Sequence, residues 1–383
     1  MNTSQKSFVI TLLVIFCISA GFIAGYITRT YQFTSQMDFP ILKESYTILR
    51  DQGLNPLPTP PTMEYGMIKG MVQAYGDPYT SFLEPVQNEL ETDSLHGSFG
   101  GIGVNIKTDA QGNYLLFPFP DSPAQKAGVQ DGDRLLAVEK LSITPETPID
   151  QLQAAVRGPV GVMVSITIGR EPDYTPQTIQ IKRAEIALPS VTWHLEPSDK
   201  RVGVFEINII AESTPGEIKK AIIDLQGRGA THFIMDLRNN GGGLLNAGIE
   251  IARLFLVEGD IIQQQYRGKG VETYRADQKG EFADLPLVIL VNQNTASAAE
   301  IISGSIQARQ RAKLIGFPTY GKNTIQLVYN LRDNSSLHVT AAHWWIPGLE
   351  FPKGDHGLDP DISLPEGASE PEVVQAAIQV LFP

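Results

Sequence analysis

The apolar pattern of this 383-residue chain predicts an α/β core with a β-rich insertion ahead of it and a helical segment at its start. Three observations carry that prediction. From Val202 to Ile315, short β-branched runs alternate with segments of helical period, as layered α/β domains require. Between Gly97 and Glu185, short strand-like runs are separated by turns rich in Gly and Pro. Leu287–Val291 is a bare apolar strand that passes through a polar turn into a helix of small residues.

With 42% apolar and 19% charged residues, the chain can bury more than one core. Its net charge of −12 carries no compensating basic cluster and argues against a nucleic-acid partner. Phe8–Tyr26, FVITLLVIFCISAGFIAGY, is uncharged and flanked by Lys6 and Arg29. About 20 such residues span a bilayer. The expectation is an uncleaved single-pass anchor within residues 1–30, rather than a signal peptide cut at Ser19-Ala20 or Ala24-Gly25. Lys6 then stays cytoplasmic and the remainder is extracytoplasmic, at the cell membrane. The single cysteine, Cys17, lies inside this segment, so the exported part has neither disulfides nor a cysteine nucleophile.

Residues 31–95 read as helical with one break. Pro40–Leu49 has apolar residues at helical spacing, Gly53–Pro61 interrupts it, Met67–Tyr75 resumes it and Gly76-Asp77-Pro78-Tyr79 stops it. Residues 96–185 form the β-rich region. Its glycine run Gly100-Gly101-Ile102-Gly103 precedes a strand starting at Val104, and Ile149–Val156 reads as a helix beside it. Clustered glycine N–H groups can form a nest for a terminal carboxylate, and the strand after them can accept a peptide by β-augmentation.

Residues 186–383 form the α/β part. Val202–Ile207 and His232–Leu237 are strands, Thr214–Leu225 is a helix with Pro215 in its first turn, and Leu244–Phe255 is another helix. Between the second strand and the second helix stands Asp236-Leu237-Arg238-Asn239-Asn240-Gly241-Gly242-Gly243, whose glycines leave backbone N–H groups uncovered. The rival reading, a phosphate loop, lacks both glycine-rich signatures. Ser297 sits where the Leu287–Val291 strand feeds a helix, which exposes its hydroxyl beside free helical N–H groups. Ser297-x-x-Glu300 also matches a capping box, the bland alternative for that serine. Lys322 follows twenty-five residues later, after Gly321 and before another strand, and its bland alternative is a solvated loop charge. A lysine base needs burial to lose its proton near neutral pH.

Val291–Ile301 followed by Gly321-Lys322-x-x-x-Gln326 resembles the C-terminal processing peptidases, serine proteases of the S41 type. The Gly76–Leu83 run, the Asp236–Gly243 loop, Leu337–Gly348 and Gly357–Ile362 are similar to the same family, and Ser122-Pro123-Ala124-x-x-Ala127-Gly128-Val129-x-x-Gly132-Asp133 looks like a PDZ domain. The resemblance implies a crotonase-like (ClpP/crotonase-type) catalytic core with an inserted PDZ domain. It implies Ser297 as nucleophile, Lys322 as general base and Gln326 as the residue orienting the lysine. Oxyanion donors carry over to Gly242 and Ala298, with Gly241 the near alternative, and tail-binding residues to Gly100, Gly101, Ile102, Gly103 and Val104. Thr295 and Ala299 depart from the serines common in the family, and Val138-Glu139-Lys140 lacks the usual glycine. Ala308 stands where many members carry Asp, which points to the lysine–glutamine form of the site.

The implied function is a membrane-anchored extracytoplasmic endopeptidase for proteins with free C-terminal tails, without cofactor. The six histidines have no paired spacing, so no metal is expected; a Ser-His-Asp triad through His343 or His356 is the rival on spacing alone. An inactive tail-binding adaptor is opposed by the intact Ser297, Lys322 and Gln326. An acyl-CoA enzyme on a related core is opposed by the export segment and the tail-binding region. The sequence names neither the substrate nor the oligomeric state, and a homo-oligomer is compatible with it.

Overall fold

A computed structural model of the chain describes residues 18–21, 39–352 and 356–382. The predicted anchor therefore lies outside the described residues apart from Ile18–Gly21, and among the described residues no helix is long and apolar enough to cross a membrane. The chain divides into two compact units, Met1–Met67 and Ile68–Pro383. The first holds the helix Pro40–Gln52, which has proline in its first turn and ends where the Gly53 N–H bonds the Leu49 carbonyl. The helix Pro60–Tyr75 begins in this unit and stops at Gly76, whose φ of 79° suits glycine.

In the second unit the main sheet has six strands, in the order Val191–Leu195, Val202–Ile207, His232–Asp236, Leu287–Val291, Lys313–Gly316, Ile362–Ser363. The first pair is antiparallel and the rest are parallel. Parallel neighbours need crossovers, and the helices Thr214–Gly227, Leu245–Phe255 and Ala298–Ala308 supply them. Strand side chains alternate between two apolar layers. Phe205, Met235, Ile289 and Leu314 pack toward the crossover helices. Val204, Ile234, Leu290 and Ile315 pack under the helix Glu370–Leu381, through Val373, Ala377 and Leu381. Burial on both faces explains why Leu287–Val291 is apolar at every position. Arg238, just past the His232–Asp236 strand, donates to both Asp236 and Glu370 and so pins the last helix to the sheet.

A second, antiparallel sheet runs Ser81–Leu83, Ser336–Trp345, Gly259–Tyr266, Val271–Ala276, with Thr324–Asn330 also paired to Ser336–Trp345. The register slips between Ile325 and Gln326, a bulge of the kind that re-aims a side chain.

Residues 104–182 form a separate antiparallel sheet in the order Val104–Thr108, Tyr114–Pro118, Asp133–Val138, Met163–Gly169, Pro176–Lys182. It packs on the helix Ile149–Val156 around Leu116, Leu135, Leu152, Ile166 and Ile168. At the turn without its usual glycine, Glu139 adopts φ 52° and its carboxylate accepts the Ser165 N–H. The chain enters and leaves through a two-stranded stem, Ser98–Gly101 against Ala184–Ala187.

Leu290 is 1% exposed between the central strand and the last helix. Leu290→Ala should lower stability by about 2–5 kcal/mol in urea unfolding at unchanged m-value. A loss under about 0.5 kcal/mol would mean that this layer is not a packed core.

Candidate active site

The Leu287–Val291 strand ends in a turn that Asn292 and Thr295 close from within. The Asn292 N–H donates to Thr295 Oγ1 (3.0 Å), and that hydroxyl donates to the Leu237 carbonyl (2.8 Å). Thr295, where serine is common in the resembling family, is fully buried by these bonds. Ser297 follows at φ 56°, ψ −121°, a conformation costing about 1–3 kcal/mol for a residue with a side chain. It places the hydroxyl at the crest between strand and helix, the geometry of a nucleophile elbow. Small residues behind it are needed for close packing: a Cβ on Gly248 would sit 3.3 Å from the Ala298 Cβ.

Glu300 is 0% exposed and holds this crest. One carboxylate oxygen accepts the backbone N–H groups of Ser297 (2.8 Å) and Lys322 (3.0 Å). The other accepts Thr319 Oγ1–H (2.6 Å) and the Gly321 N–H (2.7 Å). The capping box is thus present, but its glutamate also anchors a loop that starts nineteen residues away. Burial pushes the Glu300 carboxyl up from its ordinary value, and the four donors pull it back. The sequence marks Glu300 only as the partner of a cap.

Lys322 lies half-buried ahead of the Thr324–Asn330 strand, and Gly321 before it turns at φ 93°. Lys322 Nζ donates to Gln326 Oε1 at 2.8 Å and stands 5.0 Å from the centre of the Tyr79 ring. Among the described residues Nζ has no second hydrogen-bond partner. Burial holds the ammonium below the ordinary lysine value, against Glu91 and Asp77, whose charges raise it. The Gln326 amide nitrogen in turn donates to the Tyr79 carbonyl.

Gly242 faces the serine. At φ 103°, a Cβ there would lie 2.8 Å from the Ser297 Cβ and 3.1 Å from the Ala298 nitrogen. Its own N–H donates to Asn240 Oδ1 (2.8 Å), whereas the N–H groups of Ala298 and Gly241 have no partner among the described residues. Of the histidines considered as triad members, His343 is exposed on the Ser336–Trp345 strand, and His356 Nε2 pairs with Asp359 at 2.9 Å. Ala308, at the end of the helix begun by Ser297, packs on the core.

The glycine run of the insertion lies elsewhere. Gly100 and Gly101 end the first strand of the stem, and Gly100 accepts the Gly158 N–H (2.9 Å). Ile102 buries its side chain in the core, and Gly103 turns at φ 72° into the strand beginning at Val104. That strand pairs only with Tyr114–Pro118, leaving its other edge unpaired among the described residues. A side chain at Gly101 would strike the Phe99 ring, so bulk placed there would disturb the stem itself.

Residues 201–364 match peptidase family S41, and residues 120–170 match the PDZ domain. Over 305 residues the chain is 36% identical to the carboxyl-terminal-processing protease of Picosynechococcus sp., spanning 79% of this chain and 73% of that protein. Over 299 residues it is 33% identical to a probable CtpA-like serine protease of Staphylococcus epidermidis, spanning 78% of this chain and 60% of that one. A solved structure, the photosystem II D1 C-terminal processing protease, aligns over 88% of this chain and 90% of its own at 26% identity, with a TM-score of 0.47. The chain belongs to peptidase family S41, among the carboxyl-terminal-processing serine proteases that carry a PDZ domain.

Glu300→Gln replaces an acceptor-only group by one that must present an amide to N–H donors. It should lower stability by about 1–3 kcal/mol and speed hydrogen exchange at the Gly321 and Lys322 amides. Unchanged protection at both amides would show that Glu300 does not hold the loop.

Proposed function

We propose that this chain is a membrane-anchored, extracytoplasmic endopeptidase that takes substrates by their C-terminal tails and cleaves them with Ser297 and Lys322. The observation that carries the reading is the single Glu300 oxygen bonded to the backbone nitrogens of both residues. It ties the strained backbone of Ser297 to that of a lysine whose ammonium is disfavoured by burial.

Ser297 Oγ attacks the scissile carbonyl carbon as its proton passes to neutral Lys322 Nζ. The C–N bond then breaks, with that proton going to the leaving amine, and leaves an acyl-enzyme. Water attacks the ester, Lys322 takes the water proton, and Ser297 is released when the proton returns to Oγ. Gln326 holds Nζ through Oε1 between these transfers. The nucleophile–base bond forms when Nζ swings toward Oγ, since catalytic contacts tighten on substrate binding. The oxyanion is received by the free N–H of Ala298 and by Gly242, whose N–H must first leave Asn240, or by the free N–H of Gly241.

Support for the anchor is the uncharged run Phe8–Tyr26 between Lys6 and Arg29. The crotonase-like relation of the core rests on its parallel strands joined by crossover helices. Tail capture rests on the Gly100–Val104 run and the unpaired edge of the strand that begins at Val104.

Ser297→Ala and Lys322→Ala should each abolish cleavage of casein with circular dichroism unchanged. Lys322→Arg should also fail, because a guanidinium keeps its proton. Wild-type kcat/KM should rise with pH through an apparent pKa below the ordinary lysine value of 10.5, since the base works only after losing its proton. Full activity of Lys322→Ala, or a flat profile from about pH 5 to about pH 10, would exclude this base. His343→Ala and His356→Ala should remain active.

Amidating the C-terminus of a peptide ligand removes a charge-assisted hydrogen bond worth about 1.5–3 kcal/mol. Its affinity for the intact protein should fall about tenfold to hundredfold. Equal binding of acid and amide, measured by fluorescence anisotropy, would remove the Gly100–Val104 run from tail recognition.

A further inference from the structure

The Gly76–Leu83 run stands out in the sequence, yet no catalytic step uses it. We propose that its Asp77–Thr80 turn is a positioning element for the site, fixing through the Tyr79 carbonyl which end of the Gln326 amide faces Lys322. The inference rests on the reading of Lys322 as the base and Gln326 as its partner.

A glutamine amide is nearly symmetric in shape, so only its partners decide where the oxygen points. A protonated lysine can only donate, and therefore requires Oε1. A backbone carbonyl can only accept, and therefore requires Nε2. Gln326 lies between these two groups, with Oε1 on Lys322 Nζ and Nε2 on the Tyr79 carbonyl. Reversing the amide would set donor against donor at one end and acceptor against acceptor at the other. The Tyr79 carbonyl thus selects the one orientation that holds the ammonium.

The turn is built to hold that carbonyl still. Asp77 Oδ1 accepts the Tyr79 N–H (3.2 Å), and Oδ2 accepts the Thr80 hydroxyl. Thr80 Oγ1 accepts the N–H of Thr340 (3.2 Å), the residue opposite Gln326 in the strand register. Ser81–Leu83 then continues as a strand on the same neighbour, with Ser81 opposite His338. The turn is therefore clamped to the backbone facing Gln326, next to the register shift between Ile325 and Gln326. The Tyr79 ring covers one side of Nζ.

Among the described residues, the charged and titratable groups around Lys322 are Asp77 and Tyr79 on the turn, Tyr320 against Tyr79, Glu91 on the helix Pro85–His96, and Glu300 at its backbone nitrogen. Asp77 therefore acts in two separable ways, by geometry and by charge. Asp77→Ala removes both. Asp77→Asn keeps an oxygen acceptor for the Tyr79 N–H and removes the charge.

The test is kcat/KM for casein against pH in the full chain, for Asp77→Ala, Asp77→Asn, Gln326→Ala and the Asp77→Ala/Gln326→Ala double variant, with Lys322→Ala as control. Asp77→Ala should lose about tenfold to hundredfold, the scale of a misplaced catalytic group, as should Gln326→Ala. The double variant should lose no more than Gln326→Ala, because the turn acts through the amide. Asp77→Asn should recover most of the activity, with its rising limb moved to lower pH because a charge favouring the ammonium is gone. Thr80→Val, which breaks the clamp to Thr340 and the hydroxyl bond to Asp77 Oδ2 but leaves the Asp77 carboxylate and its bond to the Tyr79 N–H in place, should reproduce the Asp77→Ala loss if Asp77→Ala itself does not fold. Multiplying losses in the double variant, or full activity in a folded Asp77→Ala or Thr80→Val protein while Gln326→Ala is impaired, would overturn the inference alone. Full activity of Lys322→Ala would remove the base and this inference with it.

Discussion

A buried carboxylate without a cationic partner is among the costlier things a protein core can hold, several kcal/mol unless hydrogen bonds replace its water. Glu300 meets that condition with four donors, three of them backbone N–H groups. It also lies in the first turn of its helix, where the partial positive charge favours an anion. The cluster is satisfied only when the Ser297 turn and the 319–322 loop occupy their observed positions together. Loss of either segment would strand the charge, so each enforces the other. The strained backbone of Ser297 persists in that setting because its surroundings leave it no relaxed alternative.

The rest of the catalytic unit delivers three distant stretches to that cluster. Parallel strands bring the Asp236–Gly243 loop and the Ser297 turn to the same end of the sheet, since parallel strands end together. The Gly242 conformation then lets backbone pass within contact of the serine. The antiparallel sheet brings the third stretch, with Gln326 next to its register shift and the turn ahead of the Ser81–Leu83 strand carrying the Tyr79 carbonyl. Lys322 is thereby enclosed by backbone and ring, which disfavours its ammonium.

The inserted region is tied to this unit at more than its stem. Arg157, just after the helix Ile149–Val156, pairs with Asp93 on the helix Pro85–His96 at 2.6 Å and lies 4.2 Å from the centre of the Phe99 ring. Both partners of that pair are largely buried, so water screens it less than a surface pair. Arg183 donates to the carbonyls of Ala155 and Val156, closing the end of the same helix. The end of the helix Ile149–Val156 therefore adjoins the helix Pro85–His96, which follows Ser81–Leu83 in the chain.

The sequence alone determined what depends on neighbours in the chain. Val202–Ile207, Leu287–Val291 and Ile149–Val156 are the predicted elements to the residue, because apolar period and turn residues are local signals. The order strand, polar turn, small-residue helix put Ser297 at the head of its helix, and the motif around it singled out Lys322 and Gln326, which the fold joins by a hydrogen bond. Tertiary structure decided what depends on residues far apart in the chain. Gln326 and Tyr79, 247 positions apart, share a hydrogen bond that no periodicity encodes. Glu300 reads as the partner of a cap, since only the folded chain brings Thr319, Gly321 and Lys322 to its other lone pairs. The glycine loop likewise shows that N–H groups are available without showing that Asn240 holds the one on Gly242. A backbone donor's direction is set by the packing of whole elements, and a linear pattern of residue types carries no record of it.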